Sequence, residues 1–105
     1  MVFRIFFASL LLMFLSFGSL ADGDVAQGEI KAETCLGCHA VTGYNNVYPT
    51  YHVPKLGGQS AGYIASALNA YKNGTRVHGT MHANVANLTD TDIADIAAFM
   101  SSYKK

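Results

Sequence analysis

Cysteine is scarce in this chain: Cys35 and Cys38 are the only 2 among 105 residues. Both fall within one turn, so a disulfide between them would close a trivially small loop and cross-link nothing distant. That excludes a disulfide scaffold. Charge is scarce too. Charged residues make up 13% of the chain, and 7 Lys and Arg balance 7 Asp and Glu for a formal net charge of +0 at pH 7. No basic stripe exists, so the electrostatic footprint of a nucleic-acid binder is missing. No segment alternates apolar and polar residues as a half-buried strand does. No internal repeat or low-complexity linker interrupts residues 22–105. These absences leave an all-α reading.

The one long apolar run lies at the start. Residues 2–20 are almost entirely apolar, with Arg4 the only early side-chain positive charge. Ile5 to Phe17 matches the apolar middle of a secretory signal peptide, and Ser19-Leu20-Ala21 offers small residues where a signal peptidase reads. Cleavage is expected after Ala21, making residues 1–21 a signal peptide and residues 22–105 one periplasmic domain. The run approaches spanning length, so a retained anchor is the alternative. Without Arg4 the 7 Lys and Arg fall to six against 7 Asp and Glu, which leaves a mildly acidic domain.

Three main helices are expected, joined by long loops. The first runs from about Asp24 to Cys35, with acidic residues early enough to suit the helix dipole. The second starts near Ser60 or Ala61, carries Tyr63, Ile64, Ala67, Leu68 and Tyr71 at helical spacing, and ends at Asn73-Gly74. The third has Thr89 and Asp92 as a capping box with Asp in place of Glu. Its apolar stripe is Ile93, Ile96, Ala97 and Met100, and Lys104 and Lys105 sit at its negative end. Ala40 to Gly58 and Thr75 to Leu88 read as loops without regular structure. Loops this long are unusual in a small domain unless they wrap something.

Cys35-Leu36-Gly37-Cys38-His39 supplies what they wrap. It is a C-x-x-C-H run, the attachment signature of c-type haem. Two thiols add to the haem vinyl groups as thioethers, and the adjacent imidazole coordinates iron. A thioredoxin-type redox pair needs a βαβ context, which is missing. A zinc site needs four ligands, and only one Cys pair exists. A chain this short buries little apolar surface and needs a staple. A covalent haem fills that role, so the polypeptide without it is expected to be largely unfolded.

Iron has a second axial position, which could be vacant or held by His or Met. Of the 4 methionines, Met81 and Met100 lie beyond the expected signal. Met100 fits the apolar stripe of the last helix. Met81 sits between Thr80 and His82 in an expected loop, where an iron–sulfur bond would explain it. His52, His78 and His82 are the competing ligands, His82 foremost.

The chain resembles class I cytochromes c, most nearly the bacterial cytochrome c553 and single-domain cytochrome c4-like group. The resemblance runs through nearly all of residues 22–105. It rests on Gly28 ahead of C-L-G-C-H, then Y-H-V-P-K-L-G-G-Q, Y-I-A-S-A-L-N-A-Y-K-N-G-T-R, T-M and L-T-D-T-D-I-A-D-I-A-A-F-M. It implies a small fold of three main helices and long loops around one covalently bound haem. By that resemblance, Cys35 and Cys38 are the thioether anchors, and His39 and Met81 the iron ligands. The Pro54 carbonyl accepts the other ring N–H of His39, and Gly28 and Phe99 meet where the first and last helices cross. Gly79 departs from relatives that carry proline there. Tyr44, Tyr48 and Tyr51 crowd the segment after the haem turn, as edge cover, propionate donors or plain packing.

The function expected is a one-electron carrier, not an enzyme in its own right, with transient redox partners and no membrane insertion after cleavage. A monomer is expected. The alternative is a haem-bearing subunit of a dehydrogenase or oxidase complex. A third possibility is a gas-binding or peroxidatic protein in which Met81 dissociates.

Overall fold

Four of the five helices start where a side chain takes up a free backbone N–H; the helix after Ala32 has no such cap. The structure is a computed structural model that describes residues 23–103. Five helices and one minute hairpin occur among the described residues. Helix α1 is Val25–Lys31, capped by Asp24, whose carboxylate accepts from Gln27 N–H at 3.1 Å. Helix α2 is Glu33–His39, and carries both cysteines. Strands β1 (Asn45–Asn46) and β2 (Tyr51–His52) pair antiparallel, with Asn45 opposite His52. Helix α3 is Ala61–Asn73, capped by Ser60 and closed by Gly74 at φ 86°. Helix α4 is Gly79–Val85 and α5 is Asp90–Ser102. The α5 capping box is complete: Asp92 N–H donates to Thr89 Oγ1 at 3.1 Å, and Thr89 N–H donates to Asp92 Oδ2 at 2.9 Å. Such a cap is worth about 1 kcal/mol.

The frame is α1 across α5, α5 on α3, and α3 on α4. Gly28 is buried at the α1–α5 crossing. A Cβ there would meet the Asp95 carbonyl oxygen and lie 2.7 Å from Phe99 Cβ, so only glycine lets the helices approach this closely. Beside it, Asp95 is 5% exposed and fully engaged. Lys31 Nζ lies 2.6 Å from its Oδ2, and Asp24 N–H donates to its Oδ1 at 2.8 Å. Lys31 also reaches Asp92 Oδ1 at 2.9 Å. Ile64, Leu68, Val85, Ile93, Ile96 and Met100 form the apolar centre between α3, α4 and α5.

Three expectations about local structure need correction. The first helix is not continuous to Cys35. It breaks at Ala32, where φ is −87° and ψ 1°, and α2 starts at the next residue. Alanine favours helix, so nothing local marks the break; Ala32 is 0% exposed against the core. Thr75 to Leu88 is not an irregular loop, because α4 occupies its middle and carries Met81. A seven-residue helix depends on packing rather than propensity, and Val85 supplies it at 2% exposure. Its cap is the His78 ring, which accepts from Met81 N–H at 3.4 Å. Ala40 to Gly58 contains the β1–β2 hairpin, whose two-residue strands are too short to show an alternation. The expected signal peptide at 1–21 and the charges at Lys104 and Lys105 lie outside the described residues. Among the described residues no helix is long and apolar enough to cross a membrane.

Candidate cofactor site

A cavity of about 360 Å³ opens between α2, the hairpin strand β2, α3 and α4. Helix α2 packs on α1, and α4 packs on α3, so the cavity separates the two. Its floor is apolar, with Ile64, Leu68, Val85 and Ile96 among its lining. Cys35, Cys38, His39, Pro54 and Met81 all face it. The residues singled out from the sequence come from three separate elements and meet at one hollow.

Their local geometry follows from the fold. Cys35 and Cys38 are three apart on α2, hence on one face. Both are partly buried, and no disulfide joins them. Burial pushes the Cys35 thiol up, partly offset by its hydrogen bond with Thr34. His39 is 9% exposed, and its Nδ1 lies 2.7 Å from the Pro54 carbonyl oxygen. A carbonyl can only accept, so Nδ1 carries the proton and Nε2 keeps its lone pair. Two backbone bonds hold Pro54 there. Leu56 N–H donates to His39 O at 3.2 Å, and Val53 N–H donates to Tyr44 O at 2.9 Å.

The two methionines part company. Met100 is 1% exposed in the core and does not line the cavity, whereas Met81 is half-buried and does. The histidines also divide. His52 and His78 line the cavity, but His78 Nδ1 is engaged by Met81 N–H. His82 faces away, into a smaller hollow of about 260 Å³, and its Nδ1 donates to Tyr71 O at 2.9 Å. Of the three clustered tyrosines only Tyr51 lines the cavity; Tyr48 is 94% exposed and Tyr44 supplies its carbonyl to Val53. Arg76 also borders the cavity, with its guanidinium 4.5 Å from the centre of the Tyr71 ring. The place of Arg76 at the rim depends on where α3 ends.

The donor set fits a haem. Two thiols stand one turn apart at one wall, with an imidazole of fixed tautomer beside them and a soft thioether sulfur elsewhere in the lining. The remaining lining is largely apolar. No group of three or more His, Cys, Asp or Glu that could hold a bare metal ion occurs among the described residues.

Such a site in a small all-α domain defines a c-type haem protein. The chain belongs to the cytochrome c family, whose model matches residues 26–104. It is 46% identical over 83 residues to cytochrome c-554(548) of Halomonas halodenitrificans, covering 76% of this chain and 96% of that one. It is 39% identical over 84 residues to cytochrome c4 of Pseudomonas aeruginosa, covering 80% of this chain but 40% of that one. The fold is similar to the solved cytochrome c4 of Acidithiobacillus ferrooxidans, with TM-score 0.58 and 30% identity over 80% of this chain and 53% of that one. The chain thus spans about half or less of the cytochromes c4 it matches, and nearly all of the Halomonas protein. It is an electron-transfer cytochrome that carries haem c with its iron.

Proposed function

We propose that the chain is a periplasmic monohaem carrier that passes one electron at a time between transient redox partners, with iron held between His39 and Met81. The observation that carries this reading is the lining of one cavity by Cys35, Cys38, His39 and Met81, with His39 Nδ1 fixed 2.7 Å from Pro54 O. When bound, the haem supplies a ferric/ferrous couple. Cys35 and Cys38 tether its ring as thioethers from one face of α2. The Pro54 carbonyl orients the His39 ring and strengthens Nε2 as a donor. The Met81 sulfur favours the ferrous state and so raises the potential. Ile64, Leu68, Val85 and Ile96 keep water from the iron and disfavour the extra ferric charge. His39 and Met81 would hold the iron between them and would leave no position for a substrate, which supports a carrier over an enzyme. The expected N-terminal signal supports export to the periplasm.

A second reading is favoured by one relative. The chain is 31% identical over 80 residues to the cytochrome subunit of sulfide dehydrogenase of Chlorobaculum tepidum, covering 76% of this chain and 69% of that one. A subunit held permanently by a dehydrogenase or oxidase would share the same haem site. Size-exclusion at low concentration separates them: the free carrier runs as a monomer.

Carbon monoxide added to the reduced protein at neutral pH tests the closed iron site. The carrier reading expects no spectral change in the unmodified protein. A carbon monoxide spectrum there would transfer support to a gas-binding or peroxidatic protein.

A further inference from the structure

Asparagine occurs six times in the chain, and only Asn73 is followed by glycine. Its side-chain amide is also held unlike the others. Asn46, Asn69 and Asn84 donate from Nδ2, to Pro49 O at 2.8 Å, Ala65 O at 3.0 Å and Thr80 O at 2.8 Å. In Asn73 the bonded atom is the oxygen. Asn73 Oδ1 accepts from the Thr75 backbone N–H at 2.9 Å and from the Thr75 hydroxyl at 2.5 Å. A backbone N–H can only donate, so the atom facing it is the amide carbonyl oxygen. Two donors on that oxygen draw electron density from Cγ and leave the Nδ2 side of the amide free to depart.

A nucleophile stands next in the chain. The residue after each of the other four helices returns its N–H to a helix carbonyl, as Ala32, Ala40, Ala86 and Tyr103 do. The Gly74 N–H bonds to no group among the described residues. Gly74 has φ 86°, and no atom lies within 4 Å of where a Cβ would stand. Residues 73–75 are all exposed, so water reaches them. The Thr75 bonds hold the Asn73 side chain back over this turn, in the manner of an Asx-turn. The corner thus brings together a polarised amide carbon, an unengaged neighbouring nitrogen and solvent. Holding reacting groups together lowers the barrier between them, and donors on an oxygen that gains charge lower it further.

We propose that Asn73 is a self-modification site: Gly74 N closes on Asn73 Cγ, Thr75 steadies the developing oxyanion, and water converts the ring to a carboxylate. Solvent base takes the Gly74 amide proton as the N–Cγ bond forms, and the charge collects on Oδ1 between the two Thr75 donors. The Cγ–Nδ2 bond then breaks, and Nδ2 takes a proton and leaves as ammonia. The product is a five-membered cyclic imide. Water opens it at Cγ to give aspartate, or at the backbone carbonyl to give isoaspartate, in which the chain runs through Cγ. Nothing is oxidised or reduced, and water is the only co-reactant. Either product carries one new negative charge. No Asp or Glu lies between Glu33 and Asp90, so this acid is alone in its stretch of chain, flanked by Lys72 and Arg76. The protein acquires a second charge form, altered at the corner that leads from α3 into α4.

The test incubates the folded holoprotein at mildly alkaline pH in heavy-oxygen water, with peptide mapping by mass spectrometry at intervals. The label marks acid formed during the incubation and separates it from any formed earlier. Thr75→Val, Thr75→Ser and Asn73→Gln are run beside the unmodified protein. All three changes lie on the exposed turn. The unmodified protein is expected to gain label at residue 73 before any other asparagine, together with a more acidic form on ion exchange. Thr75→Val keeps the backbone donor but loses the hydroxyl, and is expected to slow the reaction severalfold. Thr75→Ser restores the hydroxyl and the rate. Asn73→Gln would need a larger ring and is expected to stay unlabelled at that position. Label appearing first at another asparagine, or none at residue 73, overturns the proposal. A Thr75→Val protein that reacts as fast as the unmodified one, or faster, also overturns it, because Thr75 would then be idle or protective.

Discussion

At the scale of single residues, the chain uses few charges, and three of them clasp the α1–α5 crossing. Asp95 is the clearest case, buried at the α1–α5 crossing and bonded to both Lys31 and the Asp24 N–H. Lys31, then the Asp24 backbone bond, holds the Asp95 carboxyl below its ordinary value of 3.8. Backbone and side-chain bonds with Thr89 and Lys31 bring Asp92 from 3.8 to about 2. Lys31 is raised above 10.5 by Asp95 and Asp92. A carboxylate lowered on folding stabilises above its unfolded value and stops doing so as pH falls through its folded one. Thermal midpoints should therefore be flat near neutrality and fall as pH drops from about 3.8 toward about 2. Lys31 adds a second loss only at strongly alkaline pH, above 10.5. Asp95→Asn should lower the neutral midpoint and flatten the acid limb. A variant that keeps the full acid limb would show that the clasp is not its source. None of this clasp was legible in the sequence, because Lys31 and Asp95 are 64 residues apart.

At the scale of elements, legibility followed capping chemistry. Ser60 and Gly74 bound α3, and Thr89 with Asp92 opens α5, as their local sequence indicates. Helix α4 escaped because its cap is a histidine ring and its stability comes from Val85 and α3 rather than from its own residues. The consequence reaches the site. Met81 is not a stray methionine in a loop; it is carried on a helix one turn from its cap, with its side chain half in the core. Gly79 is the first residue of that helix, where a missing N–H costs no intrahelical bond. His78 before it is extended at φ −158° and ψ 110°, which tolerates a following proline, and a Cβ at Gly79 meets nothing within 4 Å. Gly79→Pro should raise stability by about 0.4–1 kcal/mol through the unfolded chain. Denaturant midpoints of the holoprotein check it. A destabilised variant would mean that α4 does not begin as described.

At the scale of the whole molecule, the domain is built around an apolar hollow of about 360 Å³. Small domains gain little from their own cores, and here α2 and α4 stand on opposite sides of that hollow without packing on each other. A haem held by Cys35, Cys38 and His39 on one side and Met81 on the other would bridge them. The polypeptide made without haem should therefore lose most of its helical circular dichroism and unfold without a cooperative transition. A cooperative, helical apoprotein would show that the side chains suffice. The haem motif and its order along the chain were legible from Cys35 to His39. Met81 and Pro54 were placed with it by the family resemblance, whereas Arg76 at the same hollow was not legible, since its place depends on where α3 ends.

The central claim is that His39 and Met81 together close the iron. The weak charge-transfer band of iron–sulfur ligation in the absorption spectrum of the oxidised protein tests it most directly. The band should be present in the unmodified protein and absent in Met81→Ala. It should persist in Met100→Ala, even though that core truncation costs about 2–5 kcal/mol of stability. A spectrum of the unmodified protein without the band, or a Met81→Ala spectrum that retains it, would contradict the account.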